Sequence, residues 1–123
     1  MARVLLVEDN PLLQSLLSQL LTRLGHEVVA VRDGREALAQ MRQHLIDVIL
    51  TDLLMPEVDG LEVILAVRRD YPGVAVIAMS GGSARFPSAD ALHTARTLGA
   101  HAILPKPFNA THLREVIADV LVN

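Results

Sequence analysis

Short aliphatic runs and longer stretches with helical spacing alternate from one end of the chain to the other. The runs Arg3–Val7, Glu27–Val31, Asp47–Thr51, Val74–Met79 and Ala102–Leu104 are brief and apolar, and read as strands. Between them, apolar residues recur every three or four positions. The first such stretch places Leu13, Leu16, Leu17, Leu20, Leu21 and Leu24 on one helix face, with Asn10-Pro11 as its opening and Gly25 as its stop. A second helix, near Arg35–His44, uses Leu38 and Met41. A third, from about Gly60 to Arg69, uses Leu61, Ile64, Leu65 and Val67 and is halted by Tyr71-Pro72-Gly73. A fourth covers about Ala89–Leu98 and ends at Gly99. The last carries Leu113, Val116, Ile117, Val120 and Leu121 behind a cap at Asn109.

This alternation predicts an α/β fold of the (βα)₅ type: a doubly wound, five-stranded parallel sheet with helices on both faces. The runs Val4–Val7 and Val48–Leu50 are apolar without interruption, as strands covered on both faces are. Ligands of such sheets bind beyond the carboxyl ends of the strands. The first strand ends in Glu8-Asp9, the third in Asp52, the fourth in Ser80 and the fifth in Lys106-Pro107. Three carboxylates, a hydroxyl and an ammonium are therefore expected to converge on one crevice.

Carboxylates crowded together repel one another, and some are driven neutral unless a cation joins them. Mg²⁺, a hard ion that takes one or two carboxylates, several waters and a phosphate oxygen, suits such a site. Asp9 and Asp52 can be its ligands, and Glu8 can hold a metal-bound water. Lys106 and Ser80 suit a phosphate, one as a point charge and one as a hydrogen-bond donor. A carboxylate can also be the nucleophile and form an aspartyl-phosphate. Asp52, at the end of a central strand, is the candidate. Each residue alone has a plainer reading as a cap, a turn or a solvated charge. Their joint placement carries the chemistry.

Composition narrows the choices. The chain is read as one domain, residues 1–123, and it is 51% hydrophobic but only 2% aromatic, so its core must be aliphatic. No apolar run approaches the ~20 residues of a membrane span, and the first is too short for a signal-peptide core. With no cysteine, disulfides, thiolate metal sites and cysteine nucleophiles are excluded. A cytoplasmic placement, away from membranes, is expected. A net charge of -3 argues against direct DNA binding. His26, His44, His93, His101 and His112 form no i, i+4 metal pair and read as surface residues. No Gly-x-x-x-x-Gly-Lys loop occurs. Asp52 is followed by Leu53-Leu54, without the second acid that an aspartate-nucleophile phosphatase needs. A flavodoxin-like phosphate loop fails too, because Glu8-Asp9 would repel a bare phosphate.

The chain resembles the receiver domain of two-component response regulators over essentially its whole length. The resemblance rests on Val4-Leu5-Leu6-Val7-Glu8-Asp9-Asn10 and on Asp52-Leu53-Leu54-Met55-Pro56-Glu57-Val58-Asp59-Gly60. Met79-Ser80-Gly81, Leu98-Gly99-Ala100 and Lys106-Pro107-Phe108 complete it. It implies the flavodoxin-like strand order 2-1-3-4-5. It also implies that Glu8 and Asp9 position Mg²⁺, that Asp52 is the phosphoacceptor and that the backbone carbonyl of Leu54 is a metal ligand. Ser80 is then the switch hydroxyl, Lys106 the lysine that pairs with a phosphoryl oxygen, and Lys106-Pro107 a cis peptide bond.

Two positions depart from the family pattern. Ile103 stands where a rotating Tyr or Phe is usual, and reads as filling an apolar surface groove. The stretch Gly81–Ser88 is longer than most, and reads as a loop in which Arg85 and Phe86 are candidate output or covering residues.

The resemblance implies a signalling switch rather than an enzyme with an external substrate. It would take a phosphoryl group from a sensor histidine kinase or histidine phosphotransfer protein, and would also self-phosphorylate from small donors. It would repack at the fourth strand and helix and autodephosphorylate, with Leu54 and Gly82 flanking the attacking water. The expected state is a monomer or a weak, phosphorylation-dependent dimer. No further patterned segment follows the last helix. Output is therefore expected through an unnamed protein target, at the face of the fourth helix, fifth strand and fifth helix. The same sequence is also compatible with being the receiver part of a longer regulator. The alternative is a receiver fold that docks proteins without phosphoryl turnover.

Overall fold

The computed structural model describes residues 2–53, 60–80, 88–106 and 108–122. The elements alternate without exception: β1 (Arg3–Val7), α1 (Pro11–Arg23), β2 (Glu27–Val31), α2 (Gly34–Gln43), β3 (Val48–Asp52), α3 (Gly60–Asp70), β4 (Ala75–Ser80), α4 (Ser88–Leu98), β5 (Ala102–Pro105) and α5 (Ala110–Val122). The five strands form one sheet in the order β2-β1-β3-β4-β5, all pairs parallel. The expected fold is the observed one.

The pleat sends alternate residues of each strand to opposite faces. Val4, Leu6, Val48, Leu50, Ile77 and Met79 face α1 and α5, where Leu17, Leu21, Leu113 and Ile117 close one aliphatic core. Leu5, Val7, Ile49, Val76 and Ala78 face α2, α3 and α4, against Ala37, Met41, Val63, Ile64, Val67 and Ala95. Burial on both faces explains why β1 and β3 carry continuous apolar runs.

Local capping matches the residue types. Asn10 accepts the N–H groups of Leu12 and Leu13 through its side chain and is followed by Pro11 at the first helical position. Gly25 takes φ +94° after α1, a conformation costly for any side chain. The Asn109 side chain likewise accepts the N–H of His112.

The structure narrows some of the apolar stripes. Leu17 and Leu21 are buried and Leu13 and Leu20 sit at the margin, but Leu16 is 54% exposed. Leu16 lies about 100° around the helix from Leu17, beyond the strip of α1 that a flat sheet can cover. For the same reason Leu65 of α3 and Leu121 of α5 face outward. β3 and β4 each run one residue further than the apolar runs suggest. Asp52 pairs in register with Met79, and Ser80 with Pro105, so both site residues are the last of their strands.

Two histidines do more than cover the surface. His26 and His101 each stand one residue before an edge strand, β2 or β5. His26 Nδ1 accepts the N–H of Ala2 at 3.2 Å, and His101 Nδ1 accepts the N–H of Val76 at 2.9 Å. Accepting requires the nitrogen to be unprotonated. Burial lowers both pKa values, helped by the chain's amino terminus at His26 and by Arg68 at His101. The unfolded chain therefore takes up protons that the folded one refuses. This contribution to stability is intact above the ordinary imidazole pKa and declines as pH falls through it. Urea unfolding at about pH 7.5 and about pH 5.5 should show the loss. His101→Asn, whose Oδ1 accepts the same bond without titrating, should reduce it; an unchanged pH dependence would refute this role for His101.

Candidate functional site

The carboxyl ends of β1 and β3 bring together four of the predicted residues, Glu8, Asp9, Asp52 and Lys106. Glu8 follows β1 and extends its ladder by one bond, its N–H donating to the Val31 carbonyl at 3.1 Å. Its side chain is 1% exposed. Glu8 Oε2 accepts the Asn10 N–H at 3.0 Å, and Oε1 accepts Lys106 Nζ at 2.9 Å. The same ammonium donates to Asp52 Oδ2 at 2.9 Å. Lys106 thus reaches from the end of an edge strand, β5, to the ends of β1 and β3.

The backbone around Asp52 is held firmly. Thr51, fully buried, donates its hydroxyl to the Asp52 carbonyl at 2.9 Å. The Leu53 N–H donates to Met79 O, and the Gly60 N–H donates to Leu53 O, each at 3.1 Å. α3 is therefore anchored by its first residue directly beneath the end of β3.

Asp9, half-buried, completes the group. One carboxylate oxygen from each of Glu8, Asp9 and Asp52 lies within 4.8 Å of the others. Burial, opposed by the hydrogen bonds from Asn10 and Lys106 and reinforced by the charge of Asp52, raises the pKa of Glu8. Burial alone would lower that of Lys106, but its hydrogen bonds to Glu8 and Asp52 and their charges reverse the sign and raise it. Among the described residues, one ammonium set against three carboxylates leaves the group short of positive charge when all are ionised. A hard divalent cation with oxygen ligands fits that donor set.

The other expected site residues divide in two. Ser80 sits at the end of β4 beside β5. Ile103 is partly buried, packs against the core on the α2, α3 and α4 side, and lines a groove with Arg96, Val116 and Val120. Leu54, Gly82, Arg85, Phe86 and Pro107 with its peptide bond lie outside the described residues. Sequence reasoning missed Gln14, whose side chain donates to the carbonyls of Glu8 and Val31. The signal was present as a polar residue on the sheet-facing side of an otherwise leucine-rich helix.

The family model of the response regulator receiver domain matches residues 4–118. The chain belongs to this receiver family. A response regulator receiver protein of Anaeromyxobacter sp. is 39% identical over 107 residues, covering 87% of this receiver and 43% of that protein. The virulence transcriptional regulatory protein PhoP of Salmonella typhimurium is 36% identical over 118 residues, 96% of this receiver and 50% of that protein. The chain thus spans half or less of the length of these relatives. Among solved structures, the chemotaxis protein CheY4 of Vibrio cholerae superposes with a TM-score of 0.88 at 33% identity, covering 98% of this receiver and 99% of that chain. Among the described residues, no helix is long and apolar enough to cross a membrane.

Proposed function

We propose that this receiver is a phosphorelay switch in which Asp52 accepts a phosphoryl group from phosphohistidine on a sensor kinase or histidine phosphotransfer protein. The observation that carries it is the Asp52 carboxylate at the end of a central strand, bound to Lys106 and grouped with Glu8 and Asp9. Glu8, Asp9, Asp52 and the Leu54 carbonyl would hold Mg²⁺. When bound, the ion would neutralise charge on the transferred oxygens.

A carboxylate oxygen of Asp52 attacks phosphorus as the N–P bond to histidine breaks, and the imidazole leaves. Lys106, now shared between Glu8 and Asp52, is placed to follow the new charge. Ser80 supplies a hydroxyl donor at the neighbouring strand end, a contact that exists only in the phosphorylated state and biases β4 and α4 toward another packing. Attack by water on the acyl phosphate resets the domain. Output then passes through protein contacts on α4, β5 and α5.

The test is incubation with Mg²⁺ and either acetyl phosphate or phosphoramidate, which carries the N–P bond of the biological donor. Intact mass should show one added phosphoryl group, absent when a chelator is present. No adduct, together with no binding of beryllofluoride, would sink the switch and leave a docking module.

A further inference from the structure

Gln14 sits one turn into α1 and is half-buried against the sheet. Its Nε2 donates to the carbonyl of Val31 at 2.8 Å and to that of Glu8 at 3.2 Å. These are the last residue of β2 and the first beyond β1. Its backbone N–H donates to the Asn10 carbonyl at 2.9 Å, and the Asn10 N–H in turn donates to Glu8 Oε2. The contacts close a ring from Glu8 to Asn10 to Gln14 and back to Glu8. Asp9 is the residue enclosed between the first two.

We propose that Gln14 is a positioning residue for the divalent cation. Through this ring it sets the backbone direction at Asp9 and the height of Glu8, so that both carboxylates meet the ion without rearranging. A carboxamide suits the task for two reasons. One nitrogen carries two hydrogens and can serve two carbonyls at once. It is also neutral, and so satisfies those carbonyls without opposing the cation, whereas a lysine at the same place would add a repelling charge. The inference rests on the metal-assisted reading of the site.

Gln14→Met keeps the length of the side chain and removes both donors. Titration with Mg²⁺ alone, followed by calorimetry, should show the Kd weakened about tenfold, the lower end of what loss of a residue that orients metal ligands causes. The rise in Tm produced by Mg²⁺ should shrink with it. A merely structural role would lower Tm equally with and without the ion and leave the Kd alone. Gln14→Asn keeps a neutral carboxamide but draws its donors back by one methylene. It should bind Mg²⁺ as weakly as Gln14→Met, which keeps the test decisive if Gln14→Met does not fold. A parent that binds Mg²⁺ alongside variants with the same Kd overturns this inference alone. A parent that does not bind Mg²⁺ overturns the metal-assisted reading with it.

Discussion

Asp52→Asn will take up no phosphoryl group from acetyl phosphate at any Mg²⁺ concentration, and will fold at least as well as the parent without the metal. The first part follows from chemistry, because an amide oxygen lacks the charge that makes a carboxylate a nucleophile. The second follows from the crowding of the site. Among the described residues three carboxylates face one ammonium, and the charge of Asp52 is among the causes that push the Glu8 pKa up. Removing that charge relieves repulsion, while Lys106 keeps its 2.9 Å partner in Glu8. Intact mass and thermal unfolding of the same sample check both parts. An adduct on the variant would place the nucleophile elsewhere in the acidic group, Asp9 being the first alternative.

Of the alanine substitutions at Gly25, Gly60, Gly73 and Gly99, Gly60→Ala should be the most damaging. A Cβ at Gly60 would stand 2.5 Å from the Leu53 Cα and closer still to the Asp52 carbonyl oxygen. Both obstacles are backbone, so no rotamer change relieves them. The first turn of α3 or the end of β3 must move. Overpacking of this kind costs about 3 kcal/mol or more, which for a domain of this size lowers Tm by roughly 10 °C. The same displacement falls on Asp52, the residue proposed to attack in line. Phosphoryl uptake by the fraction still folded should therefore drop by a factor on the order of 100. A parent-like Tm would mean that α3 can back away from β3 freely.

The architecture was legible because its signals are local. Strand-length apolar runs, leucine spacing, Asn10-Pro11, Gly25 and Asn109 each act within a few residues, and all point to the same alternation. The site was legible in outline because a parallel sheet brings its carboxyl ends to one crevice. Any charged residue at those ends then becomes a candidate. Glu8, Asp9, Asp52 and Lys106 are found together as that rule requires.

The (βα)₅ order, the receiver family and the residue types at the strand ends can all be read from the order of residues along the chain. Packing in three dimensions decided that Leu17 rather than Leu16 is buried, because the width of a helix's contact depends on the surface it meets. It decided that Lys106 is shared between Glu8, 98 residues away, and Asp52, 54 residues away. It decided too that Gln14 ties two strand ends together, that Gly60 has no room for a methyl group, and that His26 and His101 accept the backbone N–H groups of Ala2 and Val76. Each of these depends on the distance between atoms far apart in the chain. Periodicity and capping, which act over a single turn or strand, carry no information about such distances.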